Sequence, residues 1–153
     1  MKRFPTAIVV AVLALALSAV AVAGGKYKRY TKKSLSSLLE MCVEGDDTGC
    51  YFYAGMQAKR GNYKEAHDAY LVGAETATSR AGFVSMLKLA QLYRQGKGVQ
   101  KDLVQAYRWY SVVAERQKSK DLRVAATGQR KKIAKQMTTR QIALAEALSK
   151  AWK

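Results

Sequence analysis

Proline, histidine, cysteine and acidic residues are all scarce in this chain. The single proline, Pro5, lies near the N-terminus, so no proline interrupts helices in the rest of the sequence. One histidine and two cysteines are too few for a structural zinc site, which usually takes four ligands. Lys and Arg outnumber Asp and Glu by 27 to 11, a balance that favours anionic surroundings: nucleic acid, anionic lipid, acidic glycans or acidic proteins.

The first 23 residues have the pattern of a bacterial secretory signal peptide. Lys2 and Arg3 form a positive n-region, residues 4–23 carry no charge, and residues 21–23 (Ala-Val-Ala) are a small-x-small cleavage signal. We expect cleavage after Ala23 and a periplasmic or secreted mature protein without a transmembrane segment. The alternative is an uncleaved membrane anchor, for which the stretch is only marginally long enough.

The rest of the chain has a helical pattern. Residues 24–33 are basic and poor in apolar side chains, and we interpret them as a flexible arm. After them, no run shows the two-residue alternation of a half-buried strand. Gly61 and Gly96 mark breaks between helices, and Asp102 and Thr138 are suited to cap the helices that follow. Seven helices are predicted, at residues 34–43, 48–59, 63–76, 80–94, 102–117, 121–136 and 139–152.

A pattern of small and aromatic residues recurs along the chain. Ala66, Tyr70 and Ala74 return forty residues later as Ala106, Tyr110 and Ala114. Alanines that flank a tyrosine at helical spacing let two helices approach closely while the ring fills the gap. Repeated helical hairpins are typical of an α-solenoid, and a helical bundle without repeats is the alternative.

A resemblance to a known family is carried by residues 89–115, LAQLYRQGKGVQKDLVQAYRWYSVVAE. This segment resembles a Sel1-like repeat, a relative of the tetratricopeptide repeat. The matching positions expected to pack the repeat are Ala90, Tyr93, Gly96, Gly98, Ala106, Trp109, Tyr110 and Ala114. Residues 50–76 resemble a degenerate second unit. The resemblance implies an all-α solenoid of antiparallel helical hairpins over residues 34–153, closed by a C-terminal capping helix.

The two cysteines, Cys42 and Cys50, are expected to form a disulfide. An exported protein meets an oxidising compartment, where paired cysteines tend to bond. The family resemblance supports this pairing, because some secreted members join cysteines seven residues apart, linking the end of one helix to the start of the next. Two buried free thiols are the alternative.

Enzymatic residue sets are not recognisable in the sequence. His67 has acidic neighbours but no positioned nucleophile, so we expect a surface or groove-lining histidine rather than a general base. The acidic cluster at residues 44–47 lacks the full ligand set of a calcium loop, and we interpret it as a solvated turn. No metal or cofactor is predicted.

The resemblance therefore implies a non-catalytic scaffold or adaptor of the bacterial cell envelope, which binds another protein on a concave surface. The residues predicted to contact the partner are Tyr53, Gln57, Lys88 and Tyr93. One alternative is a cell-wall-directed envelope enzyme, which the missing catalytic set disfavours. Another is a basic module that binds acidic glycan or anionic lipid, through the arm and the cluster Arg130, Lys131, Lys132 and Lys135; solubility is the competing explanation of that charge.

Overall fold

The computed structural model describes residues 27–152, and the predicted signal peptide lies outside the described residues. The chain divides into two units, residues 1–33 and 34–153. In the first unit, residues 27–31 are helical, which differs from the flexible arm predicted there. The hydroxyl of Thr31 donates to the carbonyl of Lys28 across this turn. None of the helices in the described residues is long and apolar enough to cross a membrane.

The second unit is all-α between residues 34 and 152, as predicted, and this range contains no strand. Each helix begins and ends within two residues of its predicted bounds. The helices are α1 (Leu35–Val43), α2 (Asp47–Lys59), α3 (Tyr63–Glu75), α4 (Arg80–Gln95), α5 (Leu103–Arg116), α6 (Lys120–Ala134) and α7 (Thr139–Lys150).

Local side chains explain why the helices begin where they do. The residue before five of them accepts a hydrogen bond from a first-turn backbone N–H, which would otherwise lack a partner. At α7, Thr138 and Gln141 form the predicted reciprocal capping box. The five capping residues are Ser34, Asp46, Ser79, Asp102 and Thr138.

The helices pack mainly in chain order, each of α1 to α5 against the next. In addition, α2 packs against α4, and α7 packs against α5. The largest fully buried side chains are Trp109, Leu38, Met86, Leu89 and Ile133, each with at most 1% of its surface exposed. Four of the five lie on α4, α5 and α6.

Three of the four repeated alanines are fully buried. Ala66, Ala74 and Ala106 have no exposed surface, whereas Ala114 is half-buried. Of the other positions quoted for the repeat, Ala90, Trp109 and Tyr110 are buried and Tyr93 is half-buried.

The glycines of the loop after α4 have the conformation that only glycine adopts easily. Gly96 has φ of 67° and Gly98 has φ of 72°. A Cβ at Gly98 would lie 2.2 Å from the carbonyl carbon and oxygen of Tyr63. The loop therefore rests on the first turn of α3 because Gly98 has no side chain.

The predicted disulfide is confirmed: Cys42 near the end of α1 is bonded to Cys50 in α2. The bond closes a loop with a sequence separation of 8 residues. In the chain-entropy model, a loop of this length stabilises the folded state by about 2.5 kcal/mol.

The acidic cluster at residues 44–47 is only partly a solvated turn. Asp46 caps α2, but Asp47 is buried and binds the loop before α4. Its carboxylate accepts from the backbone N–H groups of Thr78 and Ser79 and from the Ser79 hydroxyl, each at 2.7 Å. Burial alone would raise the pKa of Asp47, but these hydrogen bonds outweigh it and lower the pKa below its ordinary value. Within residues 27–152, no three potential ligands come together for a metal ion.

Candidate partner-binding groove

A cavity of about 400 Å³ lies between α2 and α4. Tyr51 and Lys59 line it from α2, and Lys88, Gln91 and Gln95 line it from α4. The three α4 residues are spaced three and four positions apart, so they share one face of that helix. This face is the central wall of the site.

A second cavity, of about 330 Å³, lies on the other side of the same face. It is bounded by α4, by Tyr110 of α5 and by Gln129 of α6. Lys88 and Gln91 line both cavities, which are therefore adjacent. We name the two cavities together the α4 groove.

Cations and amides dominate the polar lining of the α4 groove. None of the described residues that line either cavity is a carboxylate. Positive groups without nearby negative partners attract anionic ligands. Glutamine side chains both donate and accept hydrogen bonds, so they can pair with the backbone of an extended peptide. The cationic and amide lining residues are Lys59, Lys88, Lys97, Arg94, Gln91, Gln95 and Gln129.

Tyr70 of α3 lies at the floor of the first cavity. It is buried, and burial raises its pKa to about 12. The hydroxyl therefore stays protonated at physiological pH. A Cβ at Gly55 would lie 3.7 Å from this hydroxyl, so Gly55 forms the adjacent part of the cavity wall.

Only one of the four residues predicted to contact a partner lines the α4 groove. Lys88 is exposed and lines both cavities. Tyr53 and Gln57 are buried, and the Gln57 amide donates to the Tyr53 hydroxyl at 2.8 Å. Neither lines the α4 groove, although Tyr53 lines a different cavity beside Leu39 and Val43. Since α2 packs against α1, α3 and α4, most of its faces are covered.

Tyr93 is half-buried and packs against His67, with ring centres 5.0 Å apart and edge-on geometry. His67 is itself buried, which corrects the expected surface or groove-lining position. Its Nδ1 lies 2.9 Å from a carboxylate oxygen of Asp68, while its Nε2 has no hydrogen-bond partner among the described residues. The histidine lies under Tyr93 and lines neither cavity of the α4 groove.

Sequence reasoning missed Tyr51, Gln91 and Gln95. A signal was present in α4, where Lys88, Gln91 and Gln95 share one face while Leu89 and Ala90 are buried. The opposite wall of the first cavity, on α2, has no comparable pattern in the sequence, because neighbouring helices cover most faces of α2.

Comparison of the chain with family models, with curated proteins and with solved structures finds no match.

Proposed function

We propose that this protein is a non-catalytic scaffold or adaptor that binds an extended, acidic segment of another protein in the α4 groove. The observation that carries the proposal is the lining of the two adjacent cavities, which holds cations and amides but no carboxylate among the described residues. Charge complementarity of this kind speeds association and selects an acidic partner.

We further propose that the fold is a Sel1-like α-solenoid. The contact between α2 and α4 supports this, because these are the first helices of neighbouring hairpins. The buried alanines at the repeated positions also support it. In a solenoid, the first helices of successive hairpins line a concave binding surface, and the α4 groove lies between α2, α4 and α6.

The proposed compartment is the bacterial envelope, with the chain exported and cleaved after Ala23. The Cys42–Cys50 disulfide supports an oxidising compartment. Intact mass of the protein purified from its native cells tests the cleavage, and a species that keeps Met1 contradicts it.

The groove is tested by crosslinking in the native cell. A photoreactive amino acid at Gln91, on the wall shared by both cavities, should capture one defined protein. The same amino acid at Leu144, which is exposed on α7 and lines neither cavity, serves as the control position. Capture of the same proteins from both positions would contradict a specific groove.

A charge reversal then tests the acidic nature of the partner. We expect Lys88→Glu to abolish co-purification of the captured protein, because the new carboxylate repels an acidic segment. Lys101→Glu makes the same charge change at an exposed loop position outside the groove and should leave co-purification unchanged. Equal co-purification of the captured protein by both variants would show that the charge of the groove does not select the partner.

A further inference from the structure

Helix α6 presents a basic face that is separate from the α4 groove. Its inner side buries Leu122, Ala126 and Ile133. At about 100° per residue, Lys120, Lys131 and Lys135 lie within about 60° of one another on the opposite side of the helix. All three are exposed, and they span a distance of about 22 Å along the axis. We call these residues, with Val124 between them, the lysine face.

Ion pairing does not neutralise the lysine face. Among the described residues, none of its three lysines has a carboxylate within 4.0 Å. The one acidic residue of α6, Asp121, binds Arg80 at 2.5 Å. Exposed Arg123 and Lys132 flank the face and add two further charges. The outer side of the helix therefore carries several positive charges in one line.

An apolar side chain lies in the middle of these charges. Val124 is 62% exposed and falls in the same sector as Lys120 and Lys131. Gly128, one turn further on, has open space around its Cα, so the face has no large side chain there. Lysines beside an anionic bilayer are attracted to its headgroups, and an apolar side chain among them can enter the boundary between headgroups and acyl chains.

Other polyanions fit this surface less well. Single-stranded nucleic acid is usually gripped by aromatic side chains that stack on the bases, and α6 contains no aromatic residue. A hydrated acidic glycan gives no favourable contact to an exposed valine. We propose that the lysine face binds the surface of a bilayer that contains anionic phospholipid, and so holds the α4 groove close to the membrane.

Vesicle binding of the full chain tests this proposal. The variant Lys120→Gln/Lys131→Gln/Lys135→Gln removes the charges of the face. The control, Arg60→Gln/Lys64→Gln/Lys101→Gln, removes three exposed charges outside both the lysine face and the α4 groove and leaves the same net charge. Both variants keep residues 1–33, so any binding by that segment is equal in the two.

We expect the parent to prefer vesicles of phosphatidylcholine with phosphatidylglycerol over phosphatidylcholine alone. That preference should fall on the order of 100-fold in the lysine-face variant, since each lysine near an anionic bilayer contributes about a fivefold gain in affinity. The control variant should lose much less. Equal losses in the two variants would overturn the proposal, because net charge alone would then explain binding.

Lysine acylation followed by mass spectrometry locates the contact. Anionic vesicles should protect Lys120, Lys131 and Lys135 and leave Lys101 reactive. Val124→Ser should weaken vesicle binding while leaving retention on a sulfated glycan column unchanged. If the lysine face is protected by the soluble glycan but not by the vesicles, the partner is a glycan and the membrane proposal is wrong.

Discussion

The buried carboxylate of Asp47 offers a sharp test of how α2 is joined to the loop before α4. It begins α2 and accepts three hydrogen bonds, each of 2.7 Å, from Thr78 and Ser79, which precede α4. Replacing Asp47 by alanine removes the acceptor of all three donors. Hydrogen bonds to a charged group contribute about 1.5–3 kcal/mol each, but water can reach Thr78, which is exposed, and replace part of the loss. We therefore expect Asp47→Ala to lower the free energy of unfolding by about 3 kcal/mol.

Thermal unfolding followed by circular dichroism measures this effect. For a chain of this size, about 3 kcal/mol corresponds to a fall in Tm of about 10 °C. Glu44→Gln removes a negative charge from the same turn, where Glu44 is exposed, and should change stability by less than about 0.5 kcal/mol. If Asp47→Ala unfolds with the parent, or if both variants lose the same amount of stability, Asp47 does not hold α2 to the loop before α4.

The pH dependence gives an independent check. The folded-state pKa of Asp47 lies below its ordinary value of 3.8, so the folded state binds the proton less tightly than the unfolded state. The stabilisation is therefore present above pH 3.8 and is lost as the pH falls through the folded-state pKa. We expect the difference in stability between the parent and Asp47→Asn to shrink over that acidic range, whereas a constant difference would contradict the role of the charge.

Three further predictions test the packing. Gly73→Ala should destabilise the fold by about 1–3 kcal/mol, because its Cβ would lie 2.9 Å from the Cβ of Cys50. Gly128→Ala should stabilise α6 by about 0.5–1 kcal/mol, because its Cβ would meet nothing within 4 Å. Denaturant unfolding of the two variants measures both changes. Ala106→Leu should cost about 1–3 kcal/mol and Lys132→Ala almost nothing; equal melting of both would remove Ala106 from the packed interface. Reducing the disulfide should lower the free energy of unfolding by about 2.5 kcal/mol, and an unchanged melt after complete reduction would contradict this.

The sequence by itself determined the helices, the disulfide partners and the burial of most of the repeated alanines. Helix bounds depend on signals within a few residues, such as the Thr138–Gln141 capping box and the positive φ of Gly96. Cys42 and Cys50 are the only cysteines in the chain, so a disulfide within it had one possible pairing. Ala106 was predicted at a close contact because small residues at helical spacing favour helix–helix approach, and it is fully buried.

Only the tertiary structure decided which polar residues meet and which are buried. Asp47 and its hydrogen-bond partners are separated by more than thirty residues, so no local pattern distinguished its carboxylate from a solvated one. Tyr53 and Gln57 are of residue types that suit a binding surface, yet the neighbouring helices cover them. The α4 groove exists because α2 and α6 flank α4 in space, and its cations come together from α2, from α4 and from the loop after α4.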